Sequence, residues 1–563
     1  MKTPGLLSFL ALPVVWAIPT SELNAFLSSL DDYTEVTNAA SSNLFGGVAN
    51  GIGYVLDHAQ EVLHDHLHQG QDTLEKWVHE GKQFVKQNGL TYELVTNPAF
   101  QDYQLRVTDP DLCDPTVKQH SGYLDVTDGK HLFFWFFESR TSPEKAPLTL
   151  WLNGGPGCSS ITGLLFENGP CRVTNGGKST KPFEHSWNNY SNIIFLDQPV
   201  DVGYSYSTDG STVNTSPVAA EDVYAFIELF LARYPEYADM PFHIAAESYG
   251  GIYAPNIGSV IHLKNKELTL RPAPGVKHVN LASIILANGQ TDPYVQLASV
   301  PDYVCDGPYP LFDDPEGAQC TALRSKVPTC QRLIQGCYNY NSRLTCVPAI
   351  VYCYSQLMGP VQQTGVNPYD VRKKCDRSKD GSLCYKEMAW VETWMNDAAT
   401  KKALGVPAER TFQTCNTDVN QAFFSQGDGV KNAAALLPPL VNDGVRLLVY
   451  AGNADAMCNY VGNERWMEKL EHNFHAEFAK SRPVPWVTLE GGIIAGEVRS
   501  VGGNGFSAGN VTFAQVYEAG HMVPFDQPEA ASDLFNRWIL DVPLILNATE
   551  IASTMTVPFG GLV

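Results

Sequence analysis

Three residues that together can hydrolyse an acyl bond occur at widely separated positions in the chain, each just after an apolar, strand-like run. Ser248 follows residues 241–246 and precedes two glycines, as in the G-x-S-x-G turn that holds a nucleophilic serine clear of a sheet. Asp455 and His521 come after later strand-like runs. A serine nucleophile needs a histidine base, and that base needs an orienting carboxylate. Each residue alone is typical of a turn or a surface loop, but the three in this order predict a catalytic triad.

An oxyanion hole is predicted in a glycine-rich loop that follows an earlier strand. Residues 148–152 are apolar, and the loop Asn-Gly-Gly-Pro-Gly-Cys comes directly after them. Such a loop can be a simple turn, but α/β hydrolases place one oxyanion donor there and the other on the residue after the nucleophile. We therefore assign the two N–H donors to Gly155 and Tyr249. The order Ser, Asp, His is also that of α/β hydrolases.

Five longer segments extend these signals, namely WLNGGPGCSS, LFENGP, LDQPVDVGYSYS, AESYGG and GHMVPFDQP. In this order they resemble the signature segments of the serine carboxypeptidases, most closely the carboxypeptidase Y type of fungal vacuoles. The resemblance runs from about Tyr103 to about Leu546. It implies an α/β-hydrolase fold, with a mostly parallel central sheet and a disulfide-rich helical cap insertion at about residues 290–396. Two residues depart from the family pattern: Ala246 replaces the usual elbow glycine, and Asp201 the usual asparagine after LDQPV.

The resemblance also implies which residues bind the substrate. The substrate's C-terminal carboxylate would be held by Asn153, Gly154, Glu167 and Glu247, with Trp151 in support. Two carboxyls beside a bound carboxylate cannot all be ionised, so at least one must carry a proton and donate a hydrogen bond. Binding is therefore predicted to weaken as pH rises. The leaving-group pocket would contain Thr162, Phe166 and Met522, and Cys458 would line the pocket for the penultimate side chain.

The chain has 13 cysteines, eight of them between positions 305 and 384. Behind a secretory signal, this pattern indicates disulfides rather than zinc, and spacing alone leaves their connectivity open. The resemblance implies the pairs Cys305–Cys320, Cys330–Cys353, Cys337–Cys346, Cys375–Cys384 and Cys158–Cys415. A bond between Cys113 and Cys171 is a further hypothesis. Cys458 is left as an unpaired pocket residue.

Three regions are predicted along the chain. Residues 1–17 are typical of a secretory signal peptide, and we expect no other segment to be long and apolar enough for a membrane helix. The resemblance makes residues 18–105 a propeptide and residues 106–563 the catalytic domain. Four histidines in the propeptide could suggest a metal, but their alternation with acidic residues favours the solvent-facing side of an amphipathic helix; they are His58, His64, His66 and His68.

The net charge and the N-glycosylation sequons indicate the compartment in which the protein works and the partners it can have. There are 38 basic and 60 acidic residues, a formal charge of −22, and no basic block, which argues against a nucleic-acid partner. The acidity suits an acidic compartment. N-glycosylation sequons begin at Asn189, Asn214, Asn510 and Asn547.

The expected function is a serine-type carboxypeptidase that releases C-terminal amino acids from peptides and proteins at acidic pH. No metal or cofactor is expected. Its partners would be peptide C-termini and its own propeptide, acting as an intramolecular inhibitor and chaperone. We expect a vacuolar location, with secretion as the second choice, and favour a monomer. Three alternatives share the fold: an acyltransferase, an esterase and a stabilising partner protein without turnover. The cluster of Asn153, Glu167 and Glu247 argues against the acyltransferase.

Overall fold

The computed structural model describes residues 75–79, 81–87, 89–127, 129–381, 383–503 and 507–545. The predicted signal peptide, the four propeptide histidines and Asn547 lie outside the described residues. The chain divides into two compact units, Met1–Thr91 and Tyr92–Val563. In the first unit, strands β1 (Glu75–His79) and β2 (Lys82–Gln87) form an antiparallel hairpin in which Glu75 pairs with Lys86.

The remaining strands are numbered in chain order. They are β3 (Leu90–Thr96), β4 (Tyr103–Thr108), β5 (Gln119–Val126), β6 (Lys130–Phe137), β7 (Leu148–Leu152), β8 (Cys171–Thr174), β9 (Ser179–Pro182), β10 (Asn192–Leu196), β11 (Tyr206–Ser207), β12 (Phe242–Glu247), β13 (Leu281–Ala287), β14 (Val366–Asn367), β15 (Asp370–Lys374), β16 (Arg446–Gly452), β17 (Val484–Val487), β18 (Ile494–Val501) and β19 (Val511–Val516).

The second unit is built on one large mixed sheet. Its centre has the order β10-β7-β12-β13-β16-β19, and all of these neighbours are parallel. Antiparallel strands flank it on both sides, β3 to β6 at one edge and β18 and β17 at the other. The predicted α/β-hydrolase fold is confirmed. The parallel part is the centre of the sheet.

Helices cover the sheet. They are α1 (Ser160–Thr162), α2 (Ser216–Arg233), α3 (Gly250–Leu270), α4 (Pro293–Gln296), α5 (Val300–Asp306), α6 (Ala318–Tyr340), α7 (Arg343–Cys353), α8 (Gly359–Gln363), α9 (Arg377–Asp380), α10 (Met388–Met395), α11 (Ala398–Ala403), α12 (Thr417–Ser425), α13 (Leu437–Asn442), α14 (Tyr460–Lys469), α15 (His475–Phe478), α16 (Val523–Asp526) and α17 (Pro528–Ile539). Short 3₁₀ or π segments include Gly163–Glu167, Tyr354–Met358 and Asp428–Val430.

Alternate residues of the central strands enter two different hydrophobic cores. In β7, Leu150 joins a core with α2 and α3, whereas its neighbour Trp151 joins a second core with α17. All five residues of β7 are buried. Because side chains alternate across a strand, a sheet covered on both faces needs continuous apolar strands. This explains why the central strands are apolar runs without alternation.

The region of about 290–396 is largely helical, as expected for the cap insertion. It contains the disulfides Cys305–Cys320, Cys330–Cys353, Cys337–Cys346 and Cys375–Cys384. Elsewhere, Cys158 is bonded to Cys415 and Cys113 to Cys171. These are the pairs named from the sequence.

One expectation about apolar segments is wrong. Among the described residues, Arg343–Gln363 is a helical stretch of 21 residues that is long and apolar enough to cross a membrane. It joins α7, the π segment and α8, and 39% of its most apolar window is buried. Two of its cysteines, Cys346 and Cys353, are held in disulfides of the cap. Pro348 and Gly359 interrupt the apolar run in the sequence, but the helix continues through both residues.

The predicted end of the propeptide falls inside β4. Leu105 and Val107 of this strand are buried in the core shared with α2 and α3. Between them, Arg106 forms a two-pronged ion pair with Asp125, both distances being 2.7 Å. The strand therefore belongs structurally to the second unit, and the position of a cut remains a prediction.

Candidate active site

The turn after β12 has the geometry of a nucleophile elbow. Ser248 has a φ of 61°, in the left-handed region, and α3 begins two residues later. A Cβ on Gly250 would lie 2.6 Å from that of Ala246, so one of these two positions must be glycine. This explains why alanine is tolerated at 246. The Ser248 carbonyl accepts hydrogen bonds from the N–H groups of Gly251 (2.9 Å) and Gln290 (2.8 Å).

Asp455 and His521 are in direct contact. Nδ1 of His521 lies 2.7 Å from Oδ2 of Asp455, and both residues are buried. A carboxylate only accepts hydrogen bonds, so this contact places the imidazole proton on Nδ1 and leaves Nε2 as the basic nitrogen. Nε2 is buried and has no hydrogen-bond partner in the described part of the chain. The imidazole is therefore oriented to take a proton through Nε2.

Asp455 is held by three donors besides the histidine. The backbone N–H groups of Met457 and Cys458 donate to it at 2.8 and 3.2 Å. The third donor is Nδ2 of Asn288 at 2.8 Å, from the residue that directly follows β13. Asn288 was missed in the sequence. The rule that found Asp455, a polar residue at the carboxyl end of a parallel strand, also applies to it.

The glycine-rich loop after β7 lies against the elbow. A Cβ on Gly154 would come within 2.4 Å of the Tyr249 nitrogen and 2.8 Å of the Ser248 Cβ, so this close approach requires glycine. Gly155 has a φ of 106°, which also favours glycine. The loop is tied down by the Cys158–Cys415 disulfide. The two predicted oxyanion donors, Gly155 and Tyr249, thus belong to segments that touch.

Asp197 holds the end of the same glycine-rich loop through hydrogen bonds to Ser159 and Ser160. Its Oδ1 accepts the Ser159 hydroxyl (2.5 Å) and the Ser160 N–H (3.0 Å), and its Oδ2 accepts the Tyr204 N–H (3.0 Å). The Ser160 hydroxyl in turn accepts the N–H of Asn153 at 3.3 Å. Burial raises the pKa of Asp197 to about 7, and the Ser159 hydroxyl opposes that rise. Sequence reasoning did not single out Asp197.

The predicted carboxylate-binding residues come together beside the elbow. Nδ2 of Asn153 donates to Oε1 of Glu167 (3.0 Å) and to Oε1 of Glu247 (3.2 Å). Oδ1 of Asn153 accepts Nε1 of Trp151 and the N–H of Gly163, both at 2.9 Å, which fixes the amide orientation. Trp151 thus donates one of the two hydrogen bonds that hold the Asn153 amide oxygen.

The two glutamic acids are buried close to each other. Burial raises the pKa of Glu247 well above its ordinary value, and the neighbouring Glu167 raises it further. Oε2 of both residues is buried and has no hydrogen-bond partner in the described part of the chain. A protonated Glu247 can therefore donate a hydrogen bond to an acceptor that enters the site. Oε2 of each glutamic acid is available to contact such an acceptor.

Comparison with known proteins decides the family. The family model described as serine carboxypeptidase matches residues 110–541. The chain belongs to the serine carboxypeptidase family. Carboxypeptidase Y homolog A of Talaromyces marneffei is 41% identical over 537 residues, which cover 93% of this chain and 91% of that protein. The homologue from Ajellomyces capsulatus is 42% identical over 480 residues, covering 84% and 82%.

A solved structure agrees with the fold of this serine carboxypeptidase. The crystal structure of Kex1(Δ)P, a prohormone-processing carboxypeptidase from Saccharomyces cerevisiae, superposes with a TM-score of 0.67. It is 23% identical and covers 82% of this chain and 98% of that one. The identification from sequence motifs is confirmed, and the protein is a serine carboxypeptidase, a hydrolase, of the carboxypeptidase Y type.

The implied leaving-group residues of this carboxypeptidase are all buried. The ring of Phe166 stacks on that of Phe525 at 4.1 Å and meets the Tyr385 ring edge-on at 5.6 Å. Thr162 and Met522 are also buried. Phe525 and Tyr385 were not singled out in the sequence. Phe525 lies in the segment GHMVPFDQP, four residues after His521, whereas Tyr385 belongs to the cap.

Cys458 is the cysteine without a disulfide among the described residues, and it is buried. Burial, followed by the charge of Asp455, raises the pKa of its thiol well above the ordinary value. A thiolate is therefore disfavoured at this position, in agreement with Ser248 as the expected nucleophile.

Asp201 lies away from these residues. Its Oδ1 accepts the Ser207 N–H at 2.9 Å, and it lines a cavity of about 430 Å³ together with Arg410 and Asp418. Its backbone carbonyl accepts Nδ2 of Asn416 at 2.8 Å, so neither of these hydrogen bonds involves a triad residue. Among the described residues, no cluster of His, Cys, Asp and Glu could hold a metal ion.

Three of the four predicted glycosylation sequons lie within the described residues. Asn189, Asn214 and Asn510 are all half-buried. Nδ2 of Asn189, the atom that would carry a glycan, donates to the carbonyl of Glu184, and its Oδ1 accepts Arg140 at 2.9 Å. A glycan on Asn189 would have to displace these contacts.

Proposed function

We propose that this serine carboxypeptidase cleaves the last peptide bond of its substrates through an acyl-enzyme formed on Ser248. His521 takes the hydroxyl proton through Nε2 as the serine oxygen bonds to the carbonyl carbon. It returns the proton to the amine of the departing amino acid as the peptide bond breaks. Water then repeats the sequence and releases the shortened peptide. The 2.7 Å contact between His521 and Asp455 supports these roles.

The oxyanion would be stabilised by the backbone N–H groups of Gly155 and Tyr249. Negative charge develops on the carbonyl oxygen only during the reaction, so donors held in advance lower the barrier. The close approach of Gly154 to the Tyr249 nitrogen supports a shared site for these two donors. The left-handed φ of Ser248 supports its presentation to the same site.

The main observation in support of carboxypeptidase activity is the buried pair of Glu167 and Glu247. Both accept a hydrogen bond from the side-chain amide of Asn153. With its raised pKa, Glu247 keeps its proton in acid and can donate to the substrate's terminal carboxylate. As pH rises and the proton is lost, a buried negative charge would face that carboxylate and repel it. We therefore propose an acidic working range.

The same pair separates this proposal from its alternatives. An esterase or an acyltransferase has no terminal carboxylate to bind and would not need a shared proton next to the nucleophile. A stabilising partner protein would need neither the pair nor an oriented Asp455–His521 contact. The acidic charge and the signal-like residues 1–17 support a secretory route to a vacuole, or secretion, after removal of a propeptide.

The experiment is amino-acid release from blocked dipeptides with free or amidated C-termini, followed from acidic to neutral pH. Release that needs the free carboxylate, declines toward neutral pH and disappears in Ser248→Ala would support the proposal. Ester hydrolysis without release from free-carboxylate peptides would point to an esterase or acyltransferase. No turnover of either substrate by the processed chain would favour the partner-protein alternative.

A further inference from the structure

The residue after the nucleophile is tied by its side chain to a distant segment. The phenol of Tyr249 donates to Oδ2 of Asp428 at 2.8 Å, in the 3₁₀ segment Asp428–Val430. Both residues are buried. Burial, and then the charge of Asp428, raises the pKa of Tyr249 well above its ordinary value, so the phenol remains a donor. This hydrogen bond joins residues 179 positions apart.

Asp428 is itself held from other elements. Its Oδ2 also accepts the hydroxyl (2.6 Å) and the N–H (3.2 Å) of Ser216, the first residue of α2. Lys431 forms an ion pair with Oδ1 at 3.3 Å. An aspartate fixed by α2 and by its own segment is a stable acceptor for the phenol.

A second connection joins the elbow to the same segment. The backbone N–H of Gln290 donates to the Ser248 carbonyl at 2.8 Å, and its side-chain amide donates to the Gly429 carbonyl. Oε1 of Gln290 accepts the hydroxyl of Tyr354 from the cap at 2.9 Å. Ser248 and Tyr249 are thus connected to adjacent residues, Gly429 and Asp428. The peptide group between Ser248 and Tyr249, which carries the Tyr249 N–H, is held from both sides.

We propose that Asp428 is a positioning residue for the oxyanion hole, acting through the Tyr249 phenol to hold the Tyr249 backbone N–H in place. This rests on the proposed function, in which that N–H stabilises the oxyanion. Asp428 does not touch the substrate in this scheme. Loosening the contact should impair transition-state stabilisation without changing ground-state binding, so kcat falls while KM is unchanged.

The first test compares two Tyr→Phe variants. Tyr249→Phe removes the hydroxyl that donates to Asp428. Tyr234→Phe is the matched control, because its hydroxyl is buried in the same core without a hydrogen-bond partner in the described part of the chain. We expect Tyr249→Phe to lower kcat roughly tenfold, less than the loss of a whole oxyanion donor, with KM unchanged. An equal effect of both variants, or a change in KM alone, would overturn the proposal.

Asp428→Asn keeps the size and one acceptor oxygen, so it provides a second variant if larger changes impair folding. We expect it to lower kcat in the same direction, and the double variant Asp428→Asn/Tyr249→Phe to lose little more than Tyr249→Phe alone. Additive losses would show that the two residues act separately and would contradict the proposal. Melting temperatures measured alongside show whether each variant is folded.

A pair of inhibitors tests the oxyanion directly. The Ser248 oxygen bonds to the carbonyl carbon of a blocked amino-acid aldehyde, the C=O π bond opens to a tetrahedral oxyanion, and His521 takes the hydroxyl proton. The matching alcohol has no carbonyl and cannot react in this way. The Tyr249→Phe variant should bind the aldehyde more weakly by about the factor lost in kcat and bind the alcohol as the wild type does. Equal weakening of both would overturn the proposal. Activity surviving in Ser248→Ala would instead refute the proposed function, so the two failures can be told apart.

Discussion

The backbone N–H of His521 donates to the carbonyl of Tyr369 at 2.7 Å, so the proposed base is held by the hairpin between β14 and β15 in the cap region. The same hairpin also holds the loop that carries Asp455, the proposed orienting carboxylate. The Pro368 carbonyl accepts the N–H groups of Ala456 and Met457, both at 3.1 Å, and Val371 donates to the Ala454 carbonyl. The hairpin therefore joins the loops that carry Asp455 and His521.

Ion pairs fix this hairpin to the histidine loop. Arg372 makes two contacts with Asp370, at 2.7 and 2.9 Å, and Lys373 pairs with Asp370 at 2.8 Å and with Asp526 at 3.2 Å. Oδ2 of Asp526 accepts the N–H of Gly520, the residue before His521, at 2.8 Å. Asp370 is fully buried, so its charge depends on these partners.

Asp370→Asn should therefore lower both stability and kcat. The variant loses hydrogen bonds between charged groups, each of which contributes about 1.5–3 kcal/mol. Burial by itself would raise the pKa of Asp370, but the hydrogen bonds and charges of Arg372 and Lys373 together outweigh it and hold that pKa below its ordinary value. Its contribution is thus present above the ordinary Asp range and is lost only as pH falls below that range.

Urea unfolding of wild type and Asp370→Asn across pH measures this. The control is Asp376→Asn, which breaks an exposed pair with Lys379 and should have little effect. A difference in unfolding free energy that persists unchanged in strong acid would contradict the assigned role.

Asn288→Ala should lower kcat by about tenfold or more. The variant loses the amide that donates to Asp455 at 2.8 Å, and a hydrogen bond to a charged group contributes about 1.5–3 kcal/mol. Steady-state kinetics on a blocked dipeptide would measure the change. Asn280→Ala, at an exposed asparagine that donates to the Asp239 carbonyl, is the matched control. Equal kinetics for the two variants would show that Asn288 does not support the triad.

Glu247→Gln should flatten the pH dependence of KM. Glu247 has a raised pKa, so its carboxyl is protonated in acid and becomes a buried anion as pH rises. In the wild type, KM for free-carboxylate peptides should therefore increase toward neutral pH. A glutamine side chain donates at every pH and carries no charge, so this increase should be weaker. An equally steep rise in the variant would mean that another group titrates.

The stability of the oxyanion loop should depend on pH through Asp197. Its pKa is raised to about 7 in the folded state, chiefly by burial, so the folded protein binds a proton more tightly than the unfolded chain. Its contribution is thus fully present below the ordinary Asp pKa and lost as pH rises to about 7.

Asp197→Asn should remove this slope. The variant should also be less stable in acid, since an amide NH₂ placed at Oδ2 cannot accept the Tyr204 N–H as that oxygen does. Unfolding free energies of the two proteins should converge as pH rises toward neutrality. A constant difference across this range would show that Asp197 does not titrate there.

The sequence by itself determined the family and predicted the triad. The motif after β12, the loop after β7 and the two later strand ends, in that order, were enough to name Ser248, Asp455 and His521, because each residue follows its own strand. The continuous apolar runs likewise predicted a sheet buried on both faces. Five of the six disulfide pairs came from the family resemblance and Cys113–Cys171 from a separate hypothesis, since spacing leaves connectivity open.

Only the tertiary structure decided which distant residues support that chemistry. Asn288, Asp428 and Tyr369 reach the site across separations of more than a hundred residues, and no local periodicity records such contacts. Pro348 likewise lies inside α7, and the helical stretch continues past it to Gln363. Local sequence predicts local backbone and burial, whereas hydrogen bonds between loops depend on how whole elements pack.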